Sequence, residues 1–356
     1  MSIVVNETTL NEKYIKNLGE VKIKAIKISI GLIFLGLIAF GLWRYISFGS
    51  LAKSLSETGK ALSKIKLRFF FLAVLVYVIS TLLTDWSWKA VLKIFNKHVN
   101  VLKLMPIWMA GIFVNNITPM SRAGGEIIRV YGLRKKFKMP YSVSVLSVAI
   151  SKLTELAPIA LMGMIGAPVL VEHKLLTWRQ FSYIIGTMSI ILLVAFLIIY
   201  KTNYMPILWN RILRLLTREE KNNISINSIP YSGKWKIPVF ESLIAASFFW
   251  VMAPLRLKIL AYAMDINLSF SAAAAVNVWY ISMGLIAFTP GGIGIIEGGL
   301  VAGLVLIGVP PLQAFTLTVL DRSISYLLST ALGATCFLTL GARELWIRGN
   351  TKRGLS

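Results

Sequence analysis

The segment Thr118-Pro119-Met120-Ser121-Arg122-Ala123-Gly124-Gly125-Glu126 returns 171 positions later as Thr289-Pro290-Gly291-Gly292-Ile293-Gly294-Ile295-Ile296-Glu297, and both copies interrupt apolar sequence. At the same displacement Gly132 pairs with Gly303, Leu133 with Leu304, Pro140 with Pro311, and Ala160-Leu161 with Ala331-Leu332. A chain duplicated around two broken apolar segments has a narrow choice of folds. At hydrocarbon depth, backbone that leaves the helix must be covered by protein or line a water-filled cavity. Gly/Pro-interrupted hydrophobic stretches at matching places in two halves are also the sequence pointer to a transporter's binding site.

Composition decides that the surroundings are lipid. The 356 residues are 56% hydrophobic with a mean hydropathy of +0.71, against roughly 45–50% apolar in soluble domains. The expected fold is an all-α integral membrane protein of about seven or eight membrane segments, with an inverted repeat and two re-entrant or broken helical hairpins. The boundaries follow from polarity. A basic amino terminus (1–27) precedes a single membrane domain (28–341), and a basic tail (342–356) follows. Within the domain a first repeat over about 105–200, a hinge loop at 201–236 and a second repeat over about 237–341 are expected.

Along the chain, crossings are predicted at Ile28–Ile46, Leu67–Thr84, Tyr141–Val171, Phe181–Tyr200, Pro238–Ala263 and Leu312–Leu340. Ser47–Lys66 has the spacing of a helix lying flat on the membrane. Asp85-Trp86-Ser87-Trp88-Lys89 is expected to mark the exit of the second crossing into a basic loop with Lys93, Lys97 and Lys103. Met105–Ser121 has only about 13 apolar residues before its polar break, against about 20 needed to span, so it fits a re-entrant segment. Phe270–Phe288 runs into the second break, and Gly294–Val309 continues from it.

The net charge of +23 comes from Lys and Arg gathered in the short connections. The positive-inside bias and attraction to anionic headgroups account for that. No nucleic-acid motif accompanies it, so a nucleic-acid partner is not expected. With both termini and the basic loops cytoplasmic, three crossings separate the two Thr-Pro breaks. An odd number places them on opposite faces, which makes the duplication inverted. A multi-pass protein of the cell membrane is expected. The single cysteine, Cys336, excludes intrachain disulfides.

Charges at membrane depth cost roughly 2.5–3.5 kcal/mol each on insertion scales, so they need partners or water. Here they sit in the repeated elements. Arg122, Glu126 and Arg129 share one helical face; they form either a salt-bridge ladder or an anion site in which Gly124-Gly125 bring backbone N–H groups close. Lys152 and Glu155 lie one turn apart, and Asp321-Arg322 fall at nearly the same place in the second half. Each set is either a neutralised structural pair or the lining of a route for a headgroup or proton. Glu297 has no basic neighbour in sequence, which leaves Arg256 or Arg322 as partner. Asn115 and Asn116 either cap freed backbone or contact ligand, while Gly291 and Gly292 break a helix. No Ser-His-Asp order, phosphate-cradling loop or metal-ligand pairing occurs, so neither catalytic residues nor a metal or cofactor is expected.

Asn115-Asn116-Ile117-Thr118-Pro119, Gly124-Gly125-Glu126-Ile127-Ile128-Arg129 and Thr289 to Gly298 together resemble the flippase-like membrane domain of the lysylphosphatidylglycerol synthase family, from about Ile28 to Leu340. The resemblance implies movement of an anionic or modified lipid between leaflets, with Arg122, Glu126, Arg129, Glu297 and Arg322 at motif positions. Met120-Ser121-Arg122 departs from the glycine-rich form that follows the first Thr-Pro in the family. A soluble aminoacyl-transferase portion is not expected after Ser356, and lysine transfer is not implied. The first functional expectation is a lipid translocase working by alternating access. The others are an accessory or scaffold subunit presenting lipid to a partner transferase, and an integral membrane lipid transferase.

Overall fold

The computed structural model describes residues 58–59, 62–63, 65–118, 124–175, 177–180, 182–183, 186–187, 190, 235–287 and 289–341. The chain divides into two compact units, Met1–Lys60 and Ala61–Ser356, and every helix below belongs to the second. The crossing at Ile28–Ile46, nearly all of the flat helix, most of Phe181–Tyr200 and of the hinge loop, and the tail lie outside the described residues.

No strand occurs among the described residues. The helices are α1 (Leu67–Ile94), α2 (Val101–Ile117), α3 (Gly124–Phe137), α4 (Tyr141–Glu172), α5 (Lys236–Ala263), α6 (Phe270–Ile286), α7 (Ile295–Leu306), α8 (Pro311–Arg322) and α9 (Ser329–Thr339). A 3-10 turn, Pro290–Gly292, precedes α7, and a π-helical stretch, Ser323–Leu328, joins α8 to α9. Arg322, Ser323, Leu328 and Ser329 all keep right-handed helical backbone, so Pro311–Thr339 is one helix with a local widening. Three of the described helices, α1, α4 and α5, are long and apolar enough to cross a membrane. By contrast α2 and α6, at 17 residues each, extend about 26 Å, short of a hydrocarbon core of about 30 Å.

The duplication is visible in the helix ends. Leu67 and Lys236, Val101 and Phe270, Gly124 and Ile295, and Tyr141 and Pro311 open matching helices, 169 to 171 residues apart (236 − 67 = 169; 295 − 124 = 171). The caps match as well. Asn100 accepts from the Leu102 N–H (2.9 Å) at the start of α2, and Ser269 accepts from the Ala272 N–H (3.1 Å) at the start of α6, each satisfying a donor that the first helical turn leaves free. Past α1 and α5, Asn96 (φ 54°) and Asp265 (φ 58°) take left-handed backbone. Just beyond them the Lys97 and Ile266 N–H groups close back onto Leu92 and Ala261, a matched pair of helix stops. The matched set begins at Leu67, so it takes in the helix pair α1 and α5 along with both broken hairpins.

The relation between the halves follows from contacts. Lys66, just before α1, forms a salt bridge with Asp265, just after α5; Lys93 near the end of α1 reaches Glu241 near the start of α5 at 2.6 Å. The two helices are therefore antiparallel. Reciprocally, α2 packs on α9 and α6 packs on α4, the mutual pairing of a pseudo-twofold. An axis that reverses α1 into α5 runs perpendicular to the helices, so the repeat is inverted. Phe71, Leu75 and Ile79 form an outward apolar stripe on α1, matched by Phe240, Ile244 and Phe248 on α5. Such stripes suit a lipid-facing surface, and the fold is that of a membrane protein.

One expectation is corrected. Asp85-Trp86-Ser87-Trp88-Lys89 does not end a crossing: α1 runs on to Ile94, and Asp85 is fully buried. Lys93 belongs to that helix too, held by Glu241. Asp85, Ser87 and Trp88 point inward and are covered by other helices, so their polarity marks an interior rather than an interface.

The crossing of α4 and α6 is set by Gly166. A Cβ there would press on the backbone of Ala274 and Ala275, which cannot give way as a side chain can. Gly166→Ala is expected to cost about 1–3 kcal/mol, measured as lowered thermal stability in detergent.

Candidate functional site

Asn115 and Asn116 end α2 and tie its break in two directions. The Gly125 N–H donates to Asn115 Oδ1 at 2.7 Å, which joins the two arms of the first hairpin. Asn116 Nδ2 donates to Thr330 Oγ1 at 2.8 Å, and the Asn116 carbonyl accepts from the Tyr326 hydroxyl at 3.3 Å. Both partners belong to the second half. Gly125 packs against the Gly111 carbonyl and Asn115, and Gly124 against Thr118 and Val114. These glycines serve close approach of α3 to α2, and the Gly125 N–H is already committed to Asn115. Pro119 and Arg122 lie outside the described residues.

On α3, the Arg129 guanidinium is 3% exposed; its Nη1 donates to Glu126 at 3.0 Å, and its plane lies 3.4 Å from the centre of the Trp108 ring. The i, i+3 spacing brings the carboxylate and guanidinium together, and the buried indole supplies a π-face in place of water. Lys152 on α4 reaches Glu155 at 3.0 Å and Glu126 at 3.8 Å. The predicted pairing of Lys152 with Glu155 is thus present, inside a four-charge cluster with Glu126 and Arg129. Lys152 has 40% of its side chain exposed, the most open charge of that group.

In the second half, Asp321 and Arg322 do not pair with each other. Neighbours on a helix point about 100° apart, so each finds its own partner. Asp321 accepts from Arg256 Nε at 2.8 Å, with both side chains at most 10% exposed. Arg322 Nε donates to Glu297 at 2.6 Å, and its remaining nitrogens reach the Gly291 carbonyl (3.4 Å) and the Tyr280 hydroxyl (3.5 Å). The other Glu297 oxygen accepts from the Gly294 N–H at 2.7 Å, capping α7. Of the two candidates for Glu297, Arg322 is the partner and Arg256 is not.

Tyr326 joins the two breaks. Its ring packs on Gly291 and carries the Arg322 guanidinium at 4.7 Å, while its hydroxyl reaches Asn116. Gly291 (φ 61°) and Gly292 (φ 72°) hold the tight turn before α7 in left-handed backbone, where a side chain would be strained. The π-helical stretch begins directly after Arg322; such widenings recur at functional sites.

Asp85 was read only as an interface residue, and Trp108, Tyr280 and Tyr326 escaped the sequence reading. The signal for the first was a carboxylate directly after an apolar run, at membrane depth once the helix continues through it. The aromatic residues sit in helices with many similar neighbours and carry no such mark. No cluster of three or more metal-ligating side chains occurs among the described residues.

A family model described as the lysylphosphatidylglycerol synthase TM region matches residues 25–333. A UPF0104 membrane protein of Methanocaldococcus jannaschii is 24% identical over 335 residues, covering 90% of this chain and 96% of that relative. A UPF0104 membrane protein of Pyrococcus horikoshii is 26% identical over 313 residues, covering 82% and 92%. Another, of Methanothermobacter thermautotrophicus, is 22% identical over 322 residues, covering 83% and 88%. With a broken hairpin in each inverted half and a family model spanning most of its length, this chain belongs to the lysylphosphatidylglycerol synthase transmembrane-region family.

Proposed function

We propose that this protein translocates an anionic lipid, or a lipid-linked phosphate headgroup, between leaflets by alternating access. The observation that carries the reading is the meeting of two helix breaks, one from each antiparallel half, through Asn116, Tyr326 and Gly291 beside the paired charges of Arg322 and Glu297. Broken helices at a repeat interface are how secondary transporters build a site at the membrane midplane. On this reading the short helices α2 and α3, and α6 and α7, are re-entrant hairpins entering from opposite faces. The cell membrane is the compartment, with both termini cytoplasmic.

The chemistry is an exchange of anions. Glu126 and Glu297 occupy the same place in the two repeats, and each holds a cation: Arg129 with Lys152, and Arg322. Both carboxylates keep partial exposure, 26% and 31%, so an arriving phosphate oxygen displaces a carboxylate from its cation without leaving either buried and unpaired. Charge-assisted bonds of this kind are stronger than neutral ones, and replacing one anion by another keeps the net cost small. The acyl tails stay in the bilayer throughout. No bond is made or broken in the lipid, so on this reading the protein is a transporter, with no cofactor and no catalytic residue.

The test is reconstitution of the full chain into vesicles containing fluorescent phosphatidylglycerol, with outer-leaflet label quenched by dithionite. The wild type is expected to make most of the label accessible, and Arg129→Ala and Glu297→Ala each to slow this by about tenfold or more, the effect of ~1.4 kcal/mol. Unchanged rates in both variants would exclude the anion-exchange site. No movement by the wild type would exclude transport of this lipid class and favour lipid presentation to a separate transferase.

A further inference from the structure

Asp85 is the one carboxylate among the described residues that is fully buried with neither oxygen hydrogen-bonded to any described residue. It lies in the middle of α1, a helix long and apolar enough to cross the membrane. An ionised carboxylate in such surroundings is costly, and the cost can be relieved in two ways: by taking up a proton, or by moving against a cation. The cation is at hand. Arg129 lies 6.0 Å from the ring of Trp88, one turn along α1 from Asp85, and its own Nε is buried without a hydrogen-bond partner among the described residues.

The other titratable groups on the elements that pack against α1 are engaged elsewhere or distant in chemistry. On α4, Lys152 and Glu155 hold each other. On α5, Glu241 holds Lys93 and Arg256 holds Asp321, while Lys258 and Tyr262 lie toward the helix end that meets Lys66. On the π-helical stretch, Tyr326 is bonded to Asn116; on α2, Lys103 lies in the first turn. Within α1, Tyr77 neighbours Arg256, and Lys89 and Lys93 follow Asp85 by one and two turns.

The repeat sharpens the contrast. On the antiparallel pair α1 and α5 the two buried charges have opposite sign, Asp85 on one helix and Arg256 on the other. Arg256 is met by Asp321 at 2.8 Å, whereas Asp85 is met by nothing described. Arg256 has its carboxylate, while Arg129, the cation near Asp85, is held by Glu126 instead.

We propose that Asp85 is the site of the coupling proton: protonated while Arg129 is held by Glu126, and ionised against Arg129 when a phosphate or a rearrangement of the halves breaks the Glu126 contact. The proton is taken from water on one side and released to water on the other, with no other reactant. A metal cation suits the site less well, since no group of three or more metal-ligating side chains gathers among the described residues. The proposal rests on the translocase reading and adds its driving ion.

The experiment has two readouts on the full chain. In detergent, infrared difference spectra between acid and alkaline pH are expected to contain a carboxylic-acid C=O band, lost in Asp85→Asn and shifted in Asp85→Glu. In vesicles, a difference of one pH unit is expected to change the direction-resolved rate of fluorescent phosphatidylglycerol movement by up to about tenfold in the wild type. The movement that remains in Asp85→Asn is expected to ignore that difference, and a sodium gradient is expected to do nothing in either. Lipid movement in the wild type that ignores pH, a response to sodium instead, or an infrared band unchanged by Asp85→Asn each overturns the proposal. The wild-type arm stands even if the variants do not fold. A wild type that moves no lipid at any pH removes the translocase reading and coupling together, and is thereby distinguished from lipid movement that is merely indifferent to pH.

Discussion

Arg256→Leu is expected to lower the stability of the folded protein by about 3–5 kcal/mol, because it leaves the Asp321 carboxylate buried beside apolar side chains with its cation gone. The pair is closed at 2.8 Å and at most 10% of either side chain is exposed, so water cannot take the place of the guanidinium. Ser325 reaches the other Asp321 oxygen only at 3.3 Å, too little to compensate a full charge. The double replacement Arg256→Leu with Asp321→Leu is expected to recover most of the loss, since two apolar side chains in place of a buried pair are often neutral. Thermal unfolding in detergent, followed for the wild type, both single variants and the double variant, measures the coupling directly. Additive single losses would mean that the two charges are solvated independently.

Arg322→Lys is the second large effect, and it falls on transport more than on folding. Lysine keeps the charge but loses the planar fork. Arg322 uses that fork to hold Glu297 at 2.6 Å, the Gly291 carbonyl at 3.4 Å and the Tyr280 hydroxyl at 3.5 Å while lying over the Tyr326 ring. A single ammonium cannot satisfy those partners together, and the turn at Gly291 loses its anchor. Lipid movement in vesicles is expected to fall by roughly 10- to 100-fold, about 1.4–2.8 kcal/mol, with thermal stability changed by much less than in Arg256→Leu. Wild-type transport in Arg322→Lys would show that charge alone, without the fork, suffices at the second break.

Much of the scaffold could be read from the residues. Pro290 and Gly291-Gly292 interrupting an apolar run gave the second helix break, because proline and glycine act on the backbone locally and independently of tertiary context; Pro119, at the first, lies outside the described residues. Starts such as Phe270 and Tyr141 were legible for the same reason, with Ser269 and Pro140 directly before them. Pairing among charges was harder. Lys152 and Glu155 are one turn apart and found each other, but Asp321 and Arg322, adjacent in sequence, diverge to partners 65 and 25 residues away. Such choices depend on which helices pack together, and antiparallel packing of α1 on α5 is not encoded in any short window. Asp85 was misjudged for a related reason. Beside Trp86, Trp88 and Lys89 it has the composition of a membrane interface, and only the packing of other helices on α1 makes it interior.

The halves share caps and outward stripes, but α1 carries a buried carboxylate, Asp85, and α5 a buried guanidinium, Arg256. Had the charges been duplicated along with the backbone, the two ways of tilting one half against the other would be mirror images of equal energy. With unlike charges they are not, so on the translocase reading the molecule has a preferred rest position, and a membrane voltage acting on those charges shifts it.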